Sequence, residues 1–185
     1  MITEETLQNL ILDAGVVYLN YGESEERILG ATEGGNTFTV EREIREMPFD
    51  GLKGKTKGAR RIIREDAKLT VNLKELSAEN IALALAGAVA VDFPESDSTH
   101  KEIRSSGTIV DTDYTDNVAL VATISGSDIP VVILVENALS DGNFEIGAVD
   151  KDEAVIPVEF SAHYDPEDEN GLVPYAIRYP IIEED

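Results

Sequence analysis

TFTVEREI, residues 37–44, is the stretch that decides the fold. Its apolar residues Phe38, Val40 and Ile44 face one way along an extended chain, and Thr39, Glu41, Glu43 and the following Arg45 face the other. Alternation with a period of two is the pattern of a half-buried strand. AKLTVNLK, residues 67–74, repeats this pattern with apolar residues at every second position. The two stretches therefore predict two strands of a sheet with one buried face.

The connection between these strands, Glu46 to Glu65, is about 20 residues long, whereas hairpin loops usually have about 2–5 residues. Loops of this length in a compact domain are usually functional or disordered. The connection contains GLKGKTKG, residues 51–58, whose GKT ending resembles a phosphate-binding loop. The first glycine of that motif would fall at position 49, which is Phe49, and no strand-to-helix context surrounds it. The sequence therefore argues against nucleotide binding at this loop.

The remaining pattern predicts one principal helix and many short strands. SAENIALALAG, residues 77–87, begins at Ser77 as N-cap and ends at Gly87 as C-cap. A shorter helix is predicted over Glu4–Ile11, and residues 92–102 are predicted to form an acidic surface excursion. Further strands are predicted at 15–22, 27–32, 105–112, 117–125, 130–139, 143–149, 154–164 and 173–179. Regularly spaced strands without a linker or repeat predict a single mainly-β domain, 1–185, with a sandwich or barrel-like fold and a flanking helix.

Charge is distributed unevenly along the chain. The protein has 185 residues, of which 37 are acidic and 15 are basic, so its net charge is −22. Ten of the 15 basic residues lie between Arg42 and Lys74. Nucleic-acid binding needs Lys and Arg to displace counterions, so this composition argues against it. We expect no disulfide and no thiol nucleophile because cysteine is absent, and neither a signal peptide nor a membrane helix is predicted.

Catalytic and metal-binding patterns are weak. His100 and His163 are isolated in the sequence, and no GxSxG elbow accompanies a serine. The acidic run Asp165, Glu167 and Glu169 resembles a calcium loop, but its glycine comes one residue late, and the acidic run at 111–116 is also out of register. No enzyme activity, cofactor or metal is therefore predicted. An acidic β-sandwich that binds calcium or carbohydrate remains an alternative.

Four segments together resemble the major tail tube protein of long-tailed, siphovirus-type bacteriophages. They are LDAGVVYLNYG (12–22), GNTFTVEREIREMPFDGLKGKTKGARRI (35–62), AKLTVNLKELS (67–77) and VIPVEFSAHYD (155–165). The resemblance lies in the order of the predicted elements and in these short stretches of sequence, and it spans most of the chain. It implies a β-sandwich with a flanking helix, six copies of which form a ring with joined inner sheets.

The same resemblance implies how such rings work in a virion tail. Stacked rings form a tube around the tape-measure protein, bounded by tail-tip and tail-terminator proteins. DNA passes through the lumen without specific binding, and assembly takes place in the bacterial host cytoplasm. A tube of a contractile tail or of a related secretion system shares the ring architecture and stays open as an alternative.

Two hypotheses assign residues to this assembly. The family's long loop corresponds to residues 46–65, and we expect its basic groups to dock on acidic patches of another copy, because complementary charge steers association and fixes register. The residues assigned to this interface are Arg42, Arg45, Lys53, Lys55, Lys57, Arg60, Arg61 and Arg64. In the second hypothesis, Glu41 and Glu43 form acidic rings that line the channel and repel phosphates.

Overall fold

The computed structural model describes residues 3–11, 13–93, 99–147, 153–168 and 171–181. The strands in these ranges are β1 (Val16–Leu19), β2 (Arg27–Ile28), β3 (Thr37–Glu46), β4 (Arg60–Leu73), β5 (Ala88–Phe93), β6 (His100–Ser105), β7 (Thr115–Ile124), β8 (Ser127–Ser140), β9 (Ile156–Ser161) and β10 (Tyr175–Arg178). Two short helices, α1 (Glu4–Gln8) and α2 (Ala78–Leu83), and a 3-10 turn at Asp111–Asp113 complete the described elements. The predicted mainly-β fold with a flanking helix is confirmed.

Eight of the strands form a continuous antiparallel sheet that folds into two layers. Its order is β2-β1-β7-β8-β9-β4-β3, and β10 also pairs with β8. Strand β8 pairs with β7 over most of its length and with β10 at Val132–Val135, whereas Leu139 and Ser140 at its end pair with β9. Asn137 lies just before this change of partner with a φ of 47°, a left-handed conformation that asparagine tolerates. We call β2, β1, β7, β8 and β10 sheet A, and β3, β4 and β9 sheet B.

The core lies between the inner faces of sheets A and B. Leu69 and Val71 of β4 and Phe160 of β9 are fully buried, as the alternation in AKLTVNLK predicts. They belong to one cluster with Val17 of β1 and Val118 of β7. Each such side chain contributes about 1.5–3 kcal/mol through burial. The two layers are therefore held together mainly by apolar packing between their inner faces.

Helix α2 joins this core at one margin. The Ser77 hydroxyl accepts a hydrogen bond from the Asn80 N–H at 3.1 Å, which confirms Ser77 as the N-cap. The buried Asn80 side chain donates to the carbonyl oxygens of Leu29 at 2.9 Å and Glu75 at 3.2 Å. Because Ala84, just after the helix, is also buried in the core cluster, the helix is fixed to both layers.

Several predicted boundaries are wrong. Helix α2 ends at Leu83 rather than at position 87, and Gly87, with a φ of 69°, instead leads into β5. Of the predicted strand 105–112, only Ser105 is in a strand, as the last residue of β6; beyond it Gly107 adopts a φ of 76° and the Ser106 hydroxyl donates to the Thr108 carbonyl, which bends the chain. The predicted excursion 92–102 belongs to the hairpin of β5 and β6, of which 94–98 lie outside the described residues. The described part of 143–149 contains no strand.

Candidate functional site

The connection between β3 and β4 is a hairpin arm rather than a long loop. Strand β3 continues to Glu46 and β4 begins at Arg60, so the connecting segment is 47–59 and not the predicted 46–65. Glu46 pairs directly with Arg60 although both faces of the hairpin are exposed here. Because both faces of these strand ends are exposed, their sequence does not alternate between apolar and polar residues. The sequence pattern therefore does not predict these ends as strand. We call residues 41–66 the arm.

Backbone pairing gives the arm a defined geometry. Its β3 half has six residues, which corresponds to a length of about 20 Å at about 3.4 Å per residue. A bulge leaves Ile63 unpaired opposite the step from Glu43 to Ile44. The tip is closed by the Met47 N–H, which donates to the Ala59 carbonyl at 2.9 Å. The arm is therefore an ordered projection that carries its side chains away from the core.

A polar cluster fixes the root of the arm to sheet A. Arg42 Nε donates to Glu65 Oε1 at 3.1 Å, and Arg42 Nη2 lies 3.2 Å from the Tyr175 hydroxyl of β10. The Tyr175 hydroxyl also donates to Glu65, whose side chain is only 10% exposed. The Tyr175 hydrogen bond and then Arg42 lower the pKa of the Glu65 carboxyl, and the same contacts raise the pKa of Arg42. Arg42 thus uses its guanidinium within its own subunit.

The outer part of the arm is basic on an otherwise acidic protein. Residues 45–64 contain seven basic and two acidic residues, a net charge of +5 against −22 for the whole chain. Glu46 pairs with Lys55 at 3.7 Å and with Arg60 at 3.3 Å, and Arg64 pairs with Asp66 at 2.7 Å. Within the described ranges, four cations of the arm have no carboxylate within 4.0 Å: Arg45, Lys53, Lys57 and Arg61. The predicted interface residues therefore divide into paired and unpaired groups.

Apolar side chains accompany these cations, and the sequence pattern did not predict that they are exposed together. The exposed residues are Ile44, Met47, Phe49, Leu52, Ile62 and Ile63, with exposed fractions between 37% and 58%. Ile44 pairs across the hairpin with Ile62. Several exposed apolar side chains grouped on one projection often mark an interaction site. The apolar residues stand in MPF (47–49) and RRII (60–63), but the many charged residues around them leave no recognisable apolar pattern in the sequence.

Glu41 and Glu43 lie on the outer face of sheet B. They pair across β3 and β4 with Asp66 and Arg64, on the side opposite the core. The same face continues over Lys68, whose Nζ lies 2.8 Å from Glu159 of β9, and this hydrogen bond raises the pKa of Lys68. The face is polar, as predicted, but its acidic groups alternate with basic ones.

A shallow cavity of about 520 Å³ lies beside His163 at the end of β9. The His163 Nδ1 atom lies 3.0 Å from the Ser161 carbonyl, and its ring packs edge-on against Tyr114 at 5.1 Å. His100 instead lies at the start of β6, beside Thr99. In the described part of the chain, no three His, Cys, Asp or Glu side chains are grouped to hold a metal ion. Glu169 of the calcium-like run lies outside the described residues.

The described helices are all too short or too polar to cross a membrane. Comparison with known family models and with curated proteins finds no match to this chain.

Proposed function

We propose that this protein is the structural subunit of a long-tailed bacteriophage tail tube, polymerising as stacked hexameric rings. The observation that carries the proposal is the arm, an ordered 26-residue hairpin that holds exposed apolar groups and unpaired cations outside the core. Within the described residues, four cations of this projection have no carboxylate partner in their own subunit. Identical neighbours supply carboxylates for these cations, because the rest of each copy is strongly acidic.

Sheet edges support the same proposal. The strand path ends at β2 on one side and at β3 on the other, so each edge strand has a neighbour on one side only among the described strands. Exposed edges promote uncontrolled pairing unless they are covered or joined to another edge. In a closed ring, the edge of one copy pairs with the edge of the next, and the sheets form a continuous barrel. Head-to-tail contacts of this kind give rings when the rotation closes.

The lumen of this tube would be lined by the outer face of sheet B. Glu41 and Glu43 would then repel the phosphates of DNA in transit, and no specific DNA contact is needed. The tape-measure protein would occupy the lumen during assembly, and tail-tip and tail-terminator proteins would cap the two ends. A density map of the assembled tube that places Glu41 and Glu43 away from the channel removes them from this role.

Negative-stain electron microscopy over a concentration series, at low and high salt, tests the proposal. Hollow tubes or six-fold rings are the expected result, with light scattering to follow their growth. If the protein stays monomeric, the series is repeated with tail-tip proteins as initiators. Monomers that persist under both conditions overturn the proposal, and calcium titration of the acidic sandwich would then become the next experiment.

A further inference from the structure

Two exposed aspartates precede a glycine, and their surroundings differ. The sequence contains three pairs in which Asp or Asn is followed by Gly, namely Asp50–Gly51, Asp141–Gly142 and Asn170–Gly171. Asn170 lies outside the described residues, whereas Asp50 and Asp141 are both exposed. Because glycine has no side chain to shield its amide nitrogen, that nitrogen can approach the carboxyl group of the preceding residue closely. These pairs are therefore candidates for a reaction between side chain and main chain.

Asp50 and Gly51 are the central residues of a turn at the tip of the arm. The Leu52 N–H donates to the Phe49 carbonyl at 3.2 Å, and Gly51 has a φ of 87°. A positive φ at the third position of a turn favours glycine there. The hydrogen bond of the turn joins its first and last residues, so the peptide group between Asp50 and Gly51 takes no part in it.

Both reacting groups of this pair are accessible. Within the described ranges, the Asp50 carboxylate has no hydrogen bond, and no cation lies within 4.0 Å of it. Apart from the chain neighbours of Gly51, no described atom lies within 4 Å of the place that a Cβ on Gly51 would take. The Asp50 carboxyl group can therefore turn toward the Gly51 nitrogen without losing a partner or meeting a packed neighbour.

The pair Asp141–Gly142, just after β8, is held in place by β9. The Ser161 hydroxyl donates to Asp141 Oδ1 at 2.6 Å. A Cβ on Gly142 would lie 2.9 Å from the Cβ of Glu159, so the main chain is crowded here. A hydrogen bond to an ionised carboxylate is about twice as strong as a neutral one, and this bond must break before the Asp141 carboxyl can reach the glycine nitrogen. Asp141 is thus an exposed internal control with the same dipeptide.

We infer that Asp50 is a site of spontaneous isomerisation to isoaspartate. The Gly51 nitrogen attacks Cγ of the Asp50 carboxyl group, and the carboxyl hydroxyl leaves as water with the proton of that nitrogen. Water then opens the resulting succinimide ring. Opening at Cγ restores aspartate, whereas opening at the main-chain carbonyl leaves the chain running through Cβ and Cγ, which is isoaspartate. One water is released and one is consumed, so no other reactant is needed.

Isomerisation changes the shape of the arm tip without changing its charge or mass. The main chain gains one carbon between Asp50 and Gly51, and the carboxylate moves onto Cα. The turn from Phe49 to Leu52 then spans one more main-chain bond, so its hydrogen bond loses its geometry. We expect the Leu52 amide hydrogen to exchange with solvent faster in the isomerised protein than in freshly prepared protein.

Position-resolved mass spectrometry tests the inference. Folded protein and protein unfolded in guanidinium chloride are incubated side by side near neutral pH and then digested after glutamate. This cleavage gives peptide 47–65, which contains Asp50, and peptide 137–145, which contains Asp141. Electron-transfer fragmentation distinguishes isoaspartate from aspartate in each peptide. Reaction at Asn170 is recognised separately, because deamidation changes the mass and isomerisation of aspartate does not.

In the folded protein, isoaspartate should form at Asp50 at least about tenfold faster than at Asp141, a ratio that breaking one charge-assisted hydrogen bond supplies. In the unfolded protein, the two rates should approach each other, because nothing then holds Asp141. Equal rates at the two positions in the folded protein, or no product at Asp50, would overturn the inference.

Two variants separate the chemistry from the fold. Asp50→Glu keeps the charge, but its carboxyl group would have to close a larger and less favourable ring, so peptide 47–65 should remain unmodified. Ser161→Ala removes the hydrogen bond to Asp141, and the rate at Asp141 should rise toward that at Asp50. Product at position 50 in Asp50→Glu, or an unchanged rate at Asp141 in Ser161→Ala, would contradict the mechanism and the protection assigned here.

Discussion

Reversing two unpaired cations of the arm, Lys57→Glu with Arg61→Glu, should block assembly and leave the monomer intact. Neither side chain has a carboxylate within 4.0 Å in the described structure, so the change breaks no ion pair there. Surface changes of this kind usually alter the free energy of unfolding by less than about 0.5 kcal/mol. At an interface, each reversal removes about 0.5 kcal/mol of attraction and adds similar repulsion. The combined effect of about 2 kcal/mol raises the concentration needed for assembly about 30-fold.

The matched control is the double variant Lys101→Glu with Arg104→Glu on β6. Both double variants change the net charge from −22 to −26. The control breaks ion pairs to Asp92 and Glu102, both at 2.6 Å. It should therefore lower the monomer's melting temperature more than the arm variant does. Light scattering at low salt measures the assembly threshold of each. If both double variants need the same protein concentration for assembly, net charge rather than the arm controls assembly. That result would refute a specific role for the cations of the arm.

Three further predictions concern the monomer. Phe160→Ala removes a fully buried ring from the core and should lower the free energy of unfolding by about 3–5 kcal/mol in urea titrations; a loss below about 1 kcal/mol would show that the sheets do not pack as described. The lowered pKa of Glu65 stabilises the folded state above about pH 4.3, the unfolded value, and this stability is lost as pH falls through the folded pKa. Glu65→Gln should therefore make the melting temperature fall less steeply as the pH is lowered into the acid range. An unchanged dependence of the melting temperature on pH would contradict this. Gly87→Ala would place a Cβ 2.3 Å from the Thr108 carbonyl oxygen at a positive φ, so it should destabilise by about 1–3 kcal/mol, more than Gly22→Ala, where no atom lies within 4 Å.

Sequence patterns predicted those parts of the fold that have one buried face. Strand β4 from Ala67 onward follows its alternation closely, because every second side chain enters the core. The arm has no such difference between its faces, so the pattern predicts residues 60–65 of the same strand as loop. A second buried cluster around Ala119 and Leu134, separate from the main core, was also missed, because these residues belong to strands that are apolar on both sides. A continuous apolar run predicts burial but does not show against which layer each side chain packs.

Electrostatics explains why an acidic subunit carries its cations on a projection. At 0.15 M ionic strength the Debye length is about 8 Å, shorter than the arm's length of about 20 Å. A neighbour therefore encounters the net +5 of residues 45–64 as a separate positive charge, while the bodies of the two copies repel each other. Added salt weakens the attraction of arm to body and also the repulsion between bodies. We expect the rate of assembly to pass through a maximum as salt increases from about 0.01 to 1 M, over which the Debye length falls from about 30 to 3 Å. Stopped-flow light scattering measures this rate. A rate that only rises with salt would indicate that apolar contacts alone drive assembly and that the cations of the arm play no part in steering it.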